Sequence, residues 1–122
     1  KSKELPTDSL FETIRKYDIG VLGIKPFASN SLFKGDGSSE SPHAADDDQR
    51  ARMAIRYILT NPAITAPIPG LASIHQVDNA ALAIEERRKE DLADTSHLMP
   101  EDDGMWARLP QSYQWLKDWE YV

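Results

Sequence analysis

The 122-residue chain contains no cysteine. Disulfides, thiolate metal ligands and cysteine nucleophiles are therefore all absent. No stretch approaches the roughly 18 consecutive apolar residues that span a bilayer, and residues 1–10 hold no apolar signal-peptide core. The chain reads as soluble, with no membrane partner; the cytoplasm fits that reading. An export signal upstream of Lys1 would be invisible, and the expectation is that the polypeptide continues in that direction. Positive charge is also short: 14 Lys and Arg stand against 20 Asp and Glu, for a net charge of −6. Residues 1–40 balance, so the whole acidic excess lies in 41–122. Such a surface repels polyphosphate at long range, and nucleic acid is not expected as a partner. A single phosphate-bearing cofactor could still bind locally through backbone N–H groups.

The chain is also too short for a closed eight-unit barrel, which needs about 250 residues. A hydrophobic content of 40% is enough for one ordinary core.

The patterns that are present alternate between helix and strand. Ser9 and Glu12 have capping-box spacing, and Leu10, Phe11, Ile14 and Tyr17 recur at helical intervals, which predicts a helix over 10–17 ended by Gly20. Val21 to Ile24 is a short apolar run suited to a buried parallel strand. Residues 28–48, rich in Ser, Gly, Asp and Asn, read as a long loop, either a surface insertion or a functional element. Asp46, Asp47 and Asp48 then precede a helical face of Ala51, Ala54, Ile55, Ile58 and Leu59, where the acidic triplet suits the positive end of a helix better than a metal. Asn61-Pro62 ends that helix, and Ile64 to Ile68 supplies a second strand closed by Pro69-Gly70.

Ser73 and Gln76 repeat the capping-box spacing, and Ile74, Val77, Ala81 and Ile84 share a face of the helix that follows. Residues 85–90 read as its solvated charged end. Two strand-helix units thus occupy residues 1–92, and 93–122 form a tail carrying Trp106, Tyr113, Trp115, Trp119 and Tyr121. Two strands separated by a helix imply a parallel pair, and a parallel pair alone is not a stable sheet. The fold class is α/β, with the sheet completed by missing chain or by oligomerisation.

The stretch Ile19-Gly20-Val21-Leu22-Gly23-Ile24-Lys25-Pro26-Phe27 resembles the seventh barrel strand of aldo-keto reductases. Ala54 to Leu59 with Asn61-Pro62, then Ile64 to Gly70, is similar to the family's next helix and eighth strand, and Ser73 to Asn79 to the start of its last barrel helix. The order and spacing agree over about residues 7–90. The tail from Trp115 to Val122 looks like that of a bacterial subgroup of the family.

The resemblance implies a partial TIM (β/α)8 barrel and the reduction of a small carbonyl substrate to an alcohol with NADP or NAD as cofactor. The family's catalytic Asp, Tyr, Lys and His come from earlier strands, so no catalytic residue is assigned and the chain alone is expected to be inactive and to bind no nucleotide tightly. By family position Ile24 would pack beside the nicotinamide, Lys25, Pro26 and Phe27 would line the pyrophosphate side, and Gly70, Leu71, Ser73 and Gln76 would meet the adenosine end. Each also has a plainer role: Ile24 as core, Pro26 as a strand end, Gly70 as a turn and Ser73 as a cap.

Gln76 stands where many members carry an arginine for the 2′-phosphate, and an amide supplies no charge-assisted fork. Asn79 falls one position before the family's usual asparagine, with Ala80 in its place. His43, His75 and His97 lack metal-ligand spacing, and no nucleophile elbow occurs. The rival reading is a non-catalytic α/β module that binds a protein partner or another copy of itself.

Overall fold

The computed structural model describes residues 9–90 together with 98, 108, 110–112 and 114. Helix α1, Leu10–Lys16, begins with both halves of the predicted capping box. The Glu12 N–H donates to Ser9 Oγ at 3.3 Å, and the Ser9 N–H donates to Glu12 Oε2 at 2.7 Å. The helix is capped at Tyr17, near the predicted end, but the residue that leaves it in the left-handed region is Asp18, at φ 51°, and not Gly20. Aspartate tolerates that region through its short polar side chain.

Strand β1, Leu22–Ile24, pairs in parallel with β2, Ala66–Ile68, in the register Leu22 to Ala66, Gly23 to Pro67 and Ile24 to Ile68. Between them lie a 3-10 turn at Ala28–Asn30 and helix α2, Ala44–Ile58; after them comes α3, Ile74–Lys89. The described chain is therefore α/β, with three helices and two parallel strands. None of its helices is long and apolar enough to cross a membrane.

The segment from 28 to 48 is more ordered than the expected loop. Its last residues form the first turn of α2, and Leu32 and Phe33 are buried in a core with Phe27, Ala51, Ile55 and Ala83. Of the predicted α2 face, Ala51 and Ile55 lie inside this core, and Ala54 and Leu59 pack around it. Loop and helices thus supply the core, which the sheet does not share. Leu22 is 63% exposed and Ile24 73%, contrary to the expected burial, because two strands have no neighbours to cover them.

Helix α3 also departs from its apolar pattern. Ile74, Val77, Ala81 and Ile84 do not face α2; Ile74 is 81% exposed. The buried residues of α3 are Asn79 and Ala83, with Ala80 half-buried against the core. Small side chains let the two helices approach. The charged run is likewise no simple solvated end: Arg56 pairs with Glu86 at 2.7 Å and with Glu90, and Arg52 reaches Glu86 at 3.0 Å, which ties α2 to α3.

The aromatic tail residues and His97 lie outside the described residues. Of the rest of the tail, Leu98 is buried, and Arg108 exchanges two hydrogen bonds with Ser31. The Ser31 hydroxyl donates to the Arg108 carbonyl and the Arg108 Nε–H to the Ser31 carbonyl, each at 3.0 Å.

This packing predicts unequal costs for two aliphatic truncations. Ile55→Ala should destabilise the chain by about 2–5 kcal/mol, the range for emptying a core site. Ile84→Ala, on the uncovered face of α3, should cost under about 1 kcal/mol. Denaturant titration of both variants measures the difference, and equal midpoints would contradict this core.

Candidate functional site

The first turn of α2 carries the one acidic side chain that is fully buried among the described residues. Asp47 is 1% exposed, and its carboxylate accepts the N–H groups of Lys34 at 2.8 Å, Gly35 at 3.0 Å and Gly37 at 3.3 Å. Three backbone donors converging on one carboxylate satisfy a charge that would otherwise be costly to bury. Both glycines are needed. A Cβ at Gly35 would come within 2.8 Å of Asp47 Oδ2, and Gly37, at φ 74°, occupies the left-handed region and packs on Phe33.

The loop so fixed meets the start of α3. The Gly37 carbonyl accepts a hydrogen bond from Gln76 Nε2 at 2.8 Å, and Gln76 Oε1 accepts one from the Ala72 N–H at 2.7 Å. Gln76 therefore does not complete a second capping box. The Ser73 hydroxyl accepts the Gln76 N–H at 3.2 Å, but the returning side chain is spent on Ala72 and Gly37. Behind it, the Asn79 Nδ2 donates to the Asp48 carbonyl at 3.0 Å and Arg52 donates to Asn79 Oδ1 at 2.6 Å. His75 Nε2 lies 2.8 Å from Asp48 Oδ2.

These contacts enclose a cleft of about 180 Å³ beyond the C-terminal ends of β1 and β2. Its lining includes the apolar side chains of Phe27, Phe33, Ile55 and Leu71 and the polar ones of Asp36, Asp48, Gln76 and Asn79. The Phe27 and Phe33 rings sit 5.2 Å apart, tilted by 43°. A hydrogen bond from the Ser38 hydroxyl, followed by its backbone N–H, holds the Asp36 carboxyl below the ordinary aspartate value. Asp46 is lowered too, chiefly by the Lys34 ammonium 2.8 Å away. A depressed folded value keeps each charged at neutral pH, and any stabilisation it brings is lost only as the pH falls through that value.

Four of the residues expected at a cofactor site line this cleft: Phe27, Gly70, Leu71 and Gln76. The other four do not. Ile24 is exposed at the end of β1, Lys25 is exposed at φ 57°, Pro26 is half-buried and Ser73 caps α3. The left-handed conformation recurs at Ala28, Ser29 and Asn30, so the backbone turns sharply just after the strand. Gly70 is not in the left-handed region, and a Cβ placed on it would meet nothing within 4 Å, so neither turn geometry nor protein packing demands glycine there. Asn79 and Ala80 both border the cleft.

The sequence reading gave Asp47 only a helix-end role and missed Phe33 and the Gly35/Gly37 pair. The glycines spaced two apart ahead of an acidic helix start were the available signal. Among the described residues no group of three or more His, Asp or Glu could hold a metal. No protein-family model, curated protein or solved structure matches the chain.

The carboxylate lock can be tested by Asp47→Asn, which turns an amide N–H₂ toward backbone donors. The expected cost is about 1–3 kcal/mol. Amide hydrogen exchange at Lys34, Gly35 and Gly37 should accelerate selectively; unchanged protection there would show that the loop is held by something else.

Proposed function

We propose that the chain is the C-terminal, cofactor-contacting part of an NAD(P)H-dependent aldo-keto reductase, comprising the last two strand-helix units of a (β/α)8 barrel. The observation that carries this reading is the cleft. It opens at the C-terminal ends of two parallel strands, between the loop after β1, the loop after β2 and the first turn of α3. Barrel enzymes build their sites on that side, commonly with a phosphate near the last two strands.

Gly70 supports the same reading. A Cβ there would meet nothing within 4 Å and the residue borders the cleft, so close approach by a ligand is one use a glycine could have at this position. The cleft is smaller than the roughly 300–1,000 Å³ that encloses a whole ligand. The residues present fit one portion of a dinucleotide, and the remaining walls would come from the rest of the barrel. When bound, the reduced nicotinamide would supply hydride to a carbonyl carbon. This chain's own contribution would be binding and orientation: Phe27 and Leu71 as apolar contacts, Gly70 as an open backbone and α3 with its N-terminal end directed at an anion.

The uncovered apolar groups fit an incomplete barrel. Leu22, Ile24 and Ile68 on the strands, and Ile74, Val77 and Ile84 on α3, are all surfaces that further strand-helix units would bury. The same surfaces would also suit a second copy, which keeps the interaction-module reading as the rival.

The polypeptide that carries this chain in its natural source should reduce an aldehyde with NADH or NADPH, followed by loss of reduced-nicotinamide absorbance. The 122-residue chain alone should show no turnover. In the active polypeptide Gly70→Ala should leave the melting temperature unchanged and weaken nucleotide binding about tenfold, roughly 1.4 kcal/mol. A native species of this length that forms stable oligomers and binds no nucleotide would establish the rival instead.

A further inference from the structure

The fold requires a glycine at 37, and an aspartate precedes it. Gly37 holds φ 74°, and a Cβ on it would come within 2.9 Å of the Phe33 ring. Asp36 is exposed, and its Oδ1 accepts the Ser38 N–H at 2.9 Å, an Asx-type turn that bends the carboxyl back along the chain that follows. An Asp-Gly peptide is the sequence in which aspartate isomerises most readily, because no Cβ on the second residue hinders approach of its nitrogen to the carboxyl carbon. Two restraints oppose that reaction here. The Gly37 N–H is buried and donates to Asp47 Oδ2 at 3.3 Å, while the Gly37 carbonyl accepts from Gln76 Nε2 at 2.8 Å. The Ser38 hydroxyl, followed by its N–H, holds the Asp36 carboxyl below the ordinary aspartate value, which keeps the reactive protonated form scarce at neutral pH.

We propose that Asp36 is a site of spontaneous isomerisation to isoaspartate, gated by the Asp47 lock. The reaction runs in molecules whose loop has opened locally, and its product keeps the loop from closing as before. In the open loop the Gly37 nitrogen attacks Asp36 Cγ. An N–Cγ bond forms, a Cγ–O bond breaks, and the carboxyl hydroxyl leaves with the nitrogen's proton as water. A second water then opens the five-membered imide. Attack at Cγ restores aspartate; attack at the Asp36 backbone carbonyl carbon breaks its bond to the Gly37 nitrogen and leaves the chain running through Cβ and Cγ. Nothing is oxidised or reduced. The main chain is then one carbon longer between Gly35 and Gly37. With Gly35 still on Asp47, the Gly37 N–H and carbonyl no longer meet Asp47 and Gln76 together. The inference is independent of nucleotide binding.

The test incubates the natural polypeptide that carries this chain, beside a synthetic peptide of residues 31–41, at neutral pH in water enriched in oxygen-18. Mass spectrometry then follows the tryptic peptide 35–50. Each passage through the imide exchanges one oxygen, and fragment ions separate isoaspartate from aspartate. Labelling at Asp36 should be at least about tenfold slower in the folded protein than in the peptide, and several-fold faster in Asp47→Asn and in Gln76→Ala than in the unsubstituted protein, since losing a loop contact raises the open population. Chains that carry isoaspartate should exchange the Lys34 and Gly35 amide hydrogens faster than unmodified ones. If Asp47→Asn does not fold, Gln76→Ala, which leaves the buried carboxylate in place, decides alone. A rate equal to the peptide's, or one unmoved by the substitutions, would overturn the gate. No label at Asp36 in the variants over the time that converts the peptide would overturn the site, and unchanged amide protection in the isoaspartate chains would overturn the effect on the loop.

Discussion

The buried carboxylate of Asp47 is the contact on which the rest of the described structure depends. It gathers the N–H groups of Lys34, Gly35 and Gly37 onto the start of α2. That fixes the chain just after Leu32 and Phe33, which can then lie in the core against Ala51 and Ile55. It also delivers the Gly37 carbonyl to Gln76 and so joins the loop to α3. Without a charged acceptor at that point, three loop donors would need water, and a segment with few apolar anchors would lose its path. A residue whose sequence context suggests only helix-end electrostatics therefore organises core, loop and cleft at once.

A second constraint comes from the sheet. Two parallel strands exchange few hydrogen bonds and cover little apolar surface, so their stability depends on what packs beside them. Here α2 and α3 pack on each other and on the 27–33 segment through Ile55, Ala83 and the Arg52, Arg56, Glu86 and Glu90 seam. Leu22, Ile24 and Ile68 remain outside this arrangement. The uncovered strands and the uncovered stripe of α3 are two aspects of one deficit. Helices of a parallel α/β fold bury their apolar stripe against the sheet, and a two-stranded sheet is too narrow to receive it.

Signals that act over a few residues were the most legible in the sequence. The Ser9 and Glu12 box, both strand runs, the stop at Asn61-Pro62 and the Ser73 cap all appear near where spacing predicts them. Periodicity failed for α3 for a physical reason. It reports which side chains are apolar, not which partner is present, and the partner in hand accepts Asn79, Ala80 and Ala83 instead of Ile74 and Val77. The Asp47 lock was illegible because its donors lie 10 to 13 residues away in a glycine-containing loop, with no periodic mark. Of the expected site residues, Phe27, Gly70, Leu71 and Gln76 converged on the cleft, whereas Ile24, Lys25, Pro26 and Ser73 did not, since which side chains border a cleft depends on surroundings that the sequence cannot supply alone.

Gln76 is where structural and functional demands compete. Both ends of its amide are engaged, one with Ala72 and one with Gly37, and the same residue borders the cleft. A ligand group that needs the Gln76 amide must first displace a loop contact worth about 1 kcal/mol, and a contact of that size lowers apparent affinity several-fold unless the ligand replaces it. The Asp47 lock, by holding Gly37 where Gln76 can reach it, thus sets how firmly that amide is engaged.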